Sequence, residues 1–316
     1  MTPPWPRIGV DLGGTKIAAG VVNQQHACIA YEREPTPRGN YRGTLELIGA
    51  MVARLEARAA ALGAAAAGTA LPLGIGTPGA PEPSSGAMMH CNSLWLNGQP
   101  LPADLAQRLA RPVALANDAD CFALAQAHLQ PGGARGLLFG VILGTGVGGG
   151  WVQDGALRRG PNALAGEWGH NPLPARLLVR GPAGPVLADR ACYCGRANCI
   201  ETWLSGPGLA RTDRALWPAA DPARDGRQIF AGACAQTQRT RELYLEQLGA
   251  ALATIVNAVD PDRIVLGGGI SQQPLLYDAL PRTMQPHLFD TRRLRTPLLP
   301  PVGGDDSGLI GAALLC

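Results

Sequence analysis

Two segments of this chain share one pattern: an apolar strand, a glycine turn with threonine at its tip, and a second apolar strand. The first runs from Ile8 to Val22 and the second from Leu137 to Val152. Each arm is short, apolar and bounded by turn residues, as a hairpin requires. In P-loop and dinucleotide fingerprints the glycine turn opens a helix instead, and no helical pattern follows at once here. The recurrence is an internal repeat of one supersecondary unit. At 316 residues the chain is also too long for one simple core and suggests two domains.

A glycine turn between strands presents several backbone N–H groups with no side chains in the way, which makes an anion-binding concavity. One such turn reads most simply as a plain hairpin. Two of them, with Thr15 and Thr145 at their tips and a third glycine cluster at Gly267-Gly268-Gly269 after a strand, point to a nucleotide gripped by its phosphates. The chain holds 27 basic residues, and Lys16, inside the first turn, is the single lysine among them.

A second pattern lies between Gly166 and Glu201. It comprises Gly166-Glu167-Trp168-Gly169-His170 and, further on, Cys192-Tyr193-Cys194-Gly195-Arg196-Ala197-Asn198-Cys199-Ile200-Glu201. His170, Cys192, Cys194 and Cys199 form a Cys3His set. Thiolate and imidazole suit Zn2+, and four such ligands close a tetrahedral site with no open position, so the expected metal is structural. A Cys192–Cys194 disulfide would be strained, and three cysteines cannot all pair. The other five, Cys28, Cys91, Cys121, Cys234 and Cys316, are scattered and read as small inert hydrophobes.

Between these motifs the periodicity predicts helices near Thr44–Leu62, Ala103–Ala110, Ala119–Leu129 and Arg239–Val259. It predicts strands near Leu73–Gly76, Val113–Ala116 and Arg263–Leu266. Asp154-Gly155 reads as a hairpin turn. A final apolar helix over Ser307–Leu315 is expected to return to the first domain. Asn117-Asp118 closes a strand where the second domain should begin; Asp118 there serves either as a helix N-cap or as a catalytic base.

Asp11-Leu12-Gly13-Gly14-Thr15-Lys16, the Gly144-Thr145-Gly146 turn and the zinc segment together resemble the ROK family of sugar kinases, over nearly the whole chain. The resemblance implies an α/β actin-like ATPase (ribonuclease H-like) fold. Its small domain would span residues 1–117 and 303–316, and its large domain 118–302 with the zinc loop at 166–206. ATP and a sugar would bind in the cleft. Gly13, Gly14, Thr15, Lys16, Gly144, Thr145 and Gly146 would face the phosphates, Gly267 and Gly268 the adenosine, and Asp11 the hydrated Mg2+. Mg2+ keeps most of its waters, so no dedicated cage need show in sequence. Asp118 would be the base, and Gly79, Asn92, Asn117, Glu167, His170 and Glu201 the sugar site, His170 also holding zinc. Asn198 departs from the family pattern, which commonly has Gly there; Asn tolerates a left-handed backbone.

On substrate, the segments Asn92–Pro100, Gly166–Pro174 and the Cys192-Tyr193-Cys194 start resemble the fructokinase/mannokinase branch. The expected reaction is therefore phosphorylation of fructose, or of mannose, to the 6-phosphate. The N-acetylglucosamine kinase branch shares Pro35-Thr36-Pro37-Arg38 and Asp120–Leu124 in broad form and is the alternative, with glucokinase beside it. A sugar-responsive regulator on the same scaffold would carry an added N-terminal DNA-binding domain, and only seven residues precede the first strand. The resemblance further implies a homodimer. Composition agrees with an ordinary cytoplasmic globule, 46% hydrophobic and 16% charged with net charge +3. No basic run or aromatic-basic interleaving suggests nucleic acid. No stretch approaches the roughly 18 apolar residues of a membrane span, and no leader pattern precedes Ile8.

Overall fold

The computed structural model describes residues 4–316 apart from 175–176, 178–179, 182–183, 186–188, 222 and 291–293. Part of the expected zinc loop, and Met1–Pro3 of the stretch without a leader pattern, thus lie outside the described residues. The chain divides into two compact units. One comprises Met1–Arg135, Gly155–Ala165 and Val302–Cys316, the other Gly136–Asp154 and Gly166–Pro301.

In the first unit, β1 (Arg7–Leu12), β2 (Lys16–Val22), β3 (Cys28–Pro35), β4 (Leu73–Thr77) and β7 (Val113–Asn117) form a sheet in the order β3-β2-β1-β4-β7. The β1–β2 and β2–β3 pairs are antiparallel; β1–β4 and β4–β7 are parallel. A small ribbon pairs β5 (Ala80–Pro81) with β6 (Met88–Met89). The helices are α1 (Tyr41–Ala61), α2 (Leu101–Leu109), α3 (Asp118–Leu129) and α9 (Ser307–Leu314), and β10 (Ala156–Arg158) completes the unit. Helix α1 starts a turn earlier than its apolar periodicity suggests, because Asn40 caps it by accepting from the Gly43 amide.

Alternation along the strands sorts the two faces of this sheet. Ile8, Val10 and Leu12 of β1 and Leu73 and Ile75 of β4 pack with Ile48, Met51 and Leu55 of α1. The intervening Gly9 and Gly74 face α9, the final apolar helix, which returns to this unit as expected. A Cβ on either glycine would lie 1.8 Å from a carbonyl oxygen, of Leu309 or Ala312. Helix α9 also lies against α3, where a Cβ on Gly311 would stand 1.7 Å from the Cys121 carbonyl oxygen. The Gln126 side chain on α3 donates to the Val302 carbonyl and accepts from the Val302 amide. These contacts keep α3 with the first unit, so this division differs from the boundary expected at Asn117/Asp118.

The second unit opens on the same hairpin: β8 (Leu137–Leu143) runs antiparallel to β9 (Val147–Gln153). Parallel to β8 comes β13 (Arg263–Gly267), and parallel to that β14 (Leu298–Leu299). The repeat read from the sequence is thus a repeat of strand pairing. Asp154 and Gly155 follow β9 at φ +49° and +79°, the left-handed pair of a tight hairpin turn. A two-strand ribbon, β11 (Arg180–Gly181) and β12 (Gly184–Pro185), lies within the zinc segment. Four helices follow: α4 (Glu201–Leu204), α5 (Gly206–Leu216), α6 (Gly226–Ala231) and α7 (Ala235–Val259). Asp260 at φ +50° ends α7 ahead of Pro261. Helix α8 (Pro274–Met284) escaped the periodicity analysis because prolines sit at its start and at Pro281. Phe139, Val141, Ile264, Leu266, Leu248, Leu252, Leu276 and Trp203 share one buried core. Among the described residues no helix is long and apolar enough to cross a membrane.

Gly311→Ala tests the packing of α9. Alanine gains about 1 kcal/mol of helix propensity, but its methyl meets a backbone carbonyl that cannot rotate away. Overpacking costs roughly 1–3 kcal/mol or more, so the clash should win and lower the urea midpoint of unfolding.

Candidate functional site

In the first unit the site residues gather at the carboxyl ends of β1, β4 and β7, where open α/β sheets bind ligands. The register aligns Asp11 with Gly76, and Thr77 with Asn117. The Thr77 hydroxyl joins the adjacent loops by donating to the carbonyls of Gly79 and Ala116, at 2.7 and 3.2 Å. A Cβ on Gly79 would stand 2.4 Å from the Met89 carbonyl and 2.6 Å from Cys91 Sγ, so this loop rests on the segment leading to Asn92. Beside Asn92, Ser93 Oγ lies 3.1 Å from where a Cβ on Gly14 would sit. Gly79, Asn92 and the first glycine turn are therefore consecutive neighbours.

The turn itself is closed by the Gly13 amide donating to the Lys16 carbonyl at 3.0 Å. Asp11, on β1 just before it, is half-buried, and desolvation raises its carboxyl pKa, an effect that the Lys16 ammonium partly offsets. Asn117 takes the helix-capping role, its side-chain oxygen accepting from the Ala119 amide at 2.8 Å. Asp118, the first residue of α3, is exposed, and its Oδ1 accepts from the same amide at 2.7 Å. Burial pushes the Cys121 thiol well above its usual range, and the charges of Asp120, Asp11 and Asp118 add to that shift. Three carboxylates thus surround one end of α3.

In the second unit, Gly166-Glu167-Trp168-Gly169-His170 forms a short 3-10 turn, Glu167–His170, laid directly on β9. A Cβ on Gly166 would stand 2.2 Å from the Gly149 carbonyl, and one on Gly169 2.0 Å from the Val147 carbonyl. Gly166 also has φ +97°, which glycine adopts without strain. Between them Trp168 is 4% exposed and donates from Nε1 to the Gly148 carbonyl at 2.9 Å. The two glycines permit contact and the tryptophan anchors it, which leaves Glu167 exposed and turns the mostly buried His170 toward Cys192.

His170, Cys192, Cys194 and Cys199 present ligand atoms all within 4.8 Å of one another. His170 Nδ1 lies 3.4 Å from Cys192 Sγ, and Cys194 Sγ lies 3.6 Å from Cys199 Sγ. Tetrahedral zinc with ordinary bond lengths sets such edges at about 3.5–3.8 Å, so the donor set fits Zn2+. A metal bound at Nδ1 would leave the proton on Nε2. That nitrogen faces the Tyr193 hydroxyl at 2.9 Å and Glu167 Oε2 at 3.9 Å.

The zinc loop is held by more than its ligands. Arg190, 3% exposed, stacks 3.5 Å above the Trp203 ring and donates to the Thr202 and Gly208 carbonyls and the Thr212 hydroxyl. Asn198 has φ +58°, the left-handed geometry for which the family commonly uses Gly. Its side chain accepts from the Arg190 amide at 3.0 Å and donates to Asp189 at 2.8 Å. The substitution therefore preserves the loop and adds two bonds that glycine cannot make.

Glu201, which opens α4, accepts from the Val147 amide at 3.1 Å through Oε2. This joins the zinc segment to the second glycine turn. The same turn is closed by the Gly144 amide on the Gly146 carbonyl, and its Gly144 carbonyl accepts from the Gly206 amide at 2.8 Å. Gly267 pairs with Ile142, and a Cβ on Gly268 would stand 2.4 Å from the Leu143 carbonyl, so both glycine clusters meet. Beside them is a cavity of about 430 Å³ lined by Thr145, Pro207, Arg227, Phe230, Gly269 and Gln273 among others. Sequence reasoning missed its α5 and α6 walls, which carry no motif beyond the Asp225/Gln228 capping box. It also gave no role to Tyr193, although the Cys-Tyr-Cys spacing had marked its position.

The two-unit α/β fold, with a glycine hairpin opening each sheet, is that of the actin-like ATPases. Within that class the chain belongs to the ROK family, whose model matches residues 7–316, and it is a sugar kinase. It is 37% identical over 309 residues to an N-acetyl-D-glucosamine kinase of Escherichia coli O157:H7, covering 97% of this chain and 98% of the relative. Among solved structures it resembles a ROK hexokinase from Thermus thermophilus (TM-score 0.81, 30% identity, 99% of this chain and 98% of the other). It also resembles a ROK family glucokinase from Streptomyces griseus in complex with glucose and AMPPNP (TM-score 0.74, 26% identity, 99% of each chain).

Position 198 offers a graded test of the loop. Asn198→Ala removes both side-chain bonds and keeps a Cβ at left-handed φ, at a cost of roughly 2 kcal/mol. Asn198→Gly loses the bonds but relaxes the backbone. Zinc release to a chromogenic chelator should be slowest in the unaltered protein, faster in the glycine variant and fastest in the alanine variant.

Proposed function

We propose that this protein transfers the γ-phosphoryl group of Mg2+-bound ATP to the 6-hydroxyl of N-acetylglucosamine. The observation that carries the choice of sugar is the 37% identity, over 97% of the chain, to N-acetyl-D-glucosamine kinase. This reverses the order expected from local motifs, which favoured fructose. Motifs such as Gly166–Pro174 belong to the metal and backbone packing, so they carry little information about the sugar.

Phosphoryl transfer asks mainly for positioning, charge stabilisation and a base for the incoming hydroxyl. Asp118 supplies the base. Asn117 supplies the cap of α3 with its own side chain, and the adjacent Asp118 carboxylate is exposed at the start of that helix, where an incoming hydroxyl can reach it. Asp11, near the end of β1, would face the hydrated Mg2+, which would supply charge neutralisation at the phosphates. The amides of Gly14, Thr15 and Lys16 in one unit and of Thr145 and Gly146 in the other bind phosphate oxygens, while those of Gly13 and Gly144 close the two turns. The cavity beside Gly267 and Gly268 takes the adenosine, with Phe230 as an apolar wall. Sugar hydroxyls are met by Asn92 and the Gly79 loop on the first unit. On the second they are met by Glu167, the His170 Nε2 proton and the Glu201 oxygen not held by Val147. His170, Cys192, Cys194 and Cys199 would hold zinc, which would supply a structural anchor for the segment that carries Glu167 and Glu201 and no bond-making chemistry.

Glucose is the second reading, favoured by the likeness to the glucose-bound Streptomyces griseus glucokinase. ATP-dependent phosphorylation of N-acetylglucosamine, glucose, fructose and mannose, compared by kcat/KM, decides between them. The acetamido sugar should lead, and a lead for glucose or fructose overturns the assignment. Asp118→Asn should lower kcat by about 10²–10⁴ and leave sugar affinity, measured calorimetrically, within a few-fold of the unaltered protein.

A further inference from the structure

The first glycine turn is gripped from behind by a segment with no role in the reaction so far. Directly after β3, the Thr36 amide donates to the Thr15 carbonyl at 3.1 Å. The Thr36 hydroxyl donates to the Gly13 carbonyl at 2.7 Å. Arg38 Nε donates to the Gly14 carbonyl at 3.1 Å. Three consecutive carbonyls of one turn are thus engaged by three donors from one stretch of three residues. Pro37, between them, has a fixed φ and no amide of its own, which limits the ways this stretch can point.

The consequence follows from peptide geometry. A planar trans peptide directs its N–H opposite to its C=O. Holding the carbonyls of Gly13, Gly14 and Thr15 on one side therefore turns the amides of Gly14, Thr15 and Lys16 to the other. Successive amides presented together make an anion nest. A hydrogen bond accepted by a carbonyl also polarises its peptide and strengthens the N–H as a donor. Arg38 is a permanent cation at that carbonyl, so its effect exceeds that of a neutral donor.

We propose that Thr36 and Arg38 are positioning residues for the phosphates of the nucleotide: they hold the Gly13–Lys16 turn with its amides facing the anion. This rests on the reading of the turn as a phosphate site. The second turn shows the contrast. Its Gly144 carbonyl is held by the backbone amide of Gly206, and its Val147 amide is occupied by Glu201. Side chains from the segment that follows the edge strand β3 orient the first turn, so point substitutions can loosen it while the sheet stays intact.

Thr36 is 7% exposed, and Thr36→Val keeps its shape while deleting the hydroxyl. Arg38 is exposed, and Arg38→Gln deletes the charge without disturbing the core. Losing one such hydrogen bond should weaken Mg2+-ATP and Mg2+-ADP binding about three- to tenfold in each variant, read by calorimetry on the intact protein. Affinity for adenosine, which has no phosphate, and for the sugar should not change, and Thr36→Ser should restore ATP affinity. A loss of adenosine affinity equal to that of ATP, or unaltered ATP affinity in both variants, overturns the inference while the kinase assignment stands. Failure of the unaltered protein to bind Mg2+-ATP removes the kinase reading and this inference together.

Discussion

Backbone lying on backbone is the contact on which this structure depends, and glycine is what permits it. In the first unit α9 rests on β1, β4 and α3 through Gly9, Gly74 and Gly311, each facing a carbonyl oxygen closer than a methyl group could stand. In the second unit Gly166 and Gly169 set the Glu167–His170 turn on β9 in the same manner. Side-chain packing alone would hold helix and sheet farther apart. Removing the Cβ brings them together and makes every position along the contact specific, because a carbonyl cannot move aside as a side chain can. The functional groups inherit that rigidity: Asp11 at the end of β1, Asp118 at the start of α3, and Glu167 and His170 on the anchored turn.

The zinc segment solves a different problem. A long irregular stretch cannot bury much apolar surface of its own, so something else must order it. Four side chains that could hold a metal gather there within 4.8 Å of one another, and other protein groups support them. Arg190 stacks on Trp203 and donates to three acceptors, and Asn198 holds Arg190 and Asp189 while adopting a left-handed backbone. Glu201 then joins the ordered segment to the Val147 amide.

Much of the site was legible because it is written in local chemistry. Glycine turns between apolar strands, a Cys3His set and a strand ending in Asn-Asp each imply a structure from residues close in sequence. The helices around the core were legible from apolar periodicity, with ends off by a few residues where a cap such as Asn40 lay outside the apolar stripe. What escaped were features made by distant residues: the Thr36–Arg38 grip, the Tyr193 hydroxyl facing His170, and the cavity walls from α5 and α6. Helix α8 escaped because its prolines argue against the very helix that they start and interrupt. Glu201 was legible as a carboxylate near the metal but not as an acceptor for the second turn.

By itself, then, the sequence determined the repeated hairpins, the Cys3His cluster and the class of reaction, because each depends on residue types at short, rigid spacings. The preferred sugar was not determined in that way: short motifs pointed to fructose, and likeness over the whole length pointed to N-acetylglucosamine. Only the tertiary structure decided which way the turn carbonyls are held, which nitrogen of His170 faces Cys192, and that Asn117 is the N-cap of α3. Those are matters of direction. A side chain's partner, and the side of a peptide that is left free, depend on what folds against it from elsewhere in the chain.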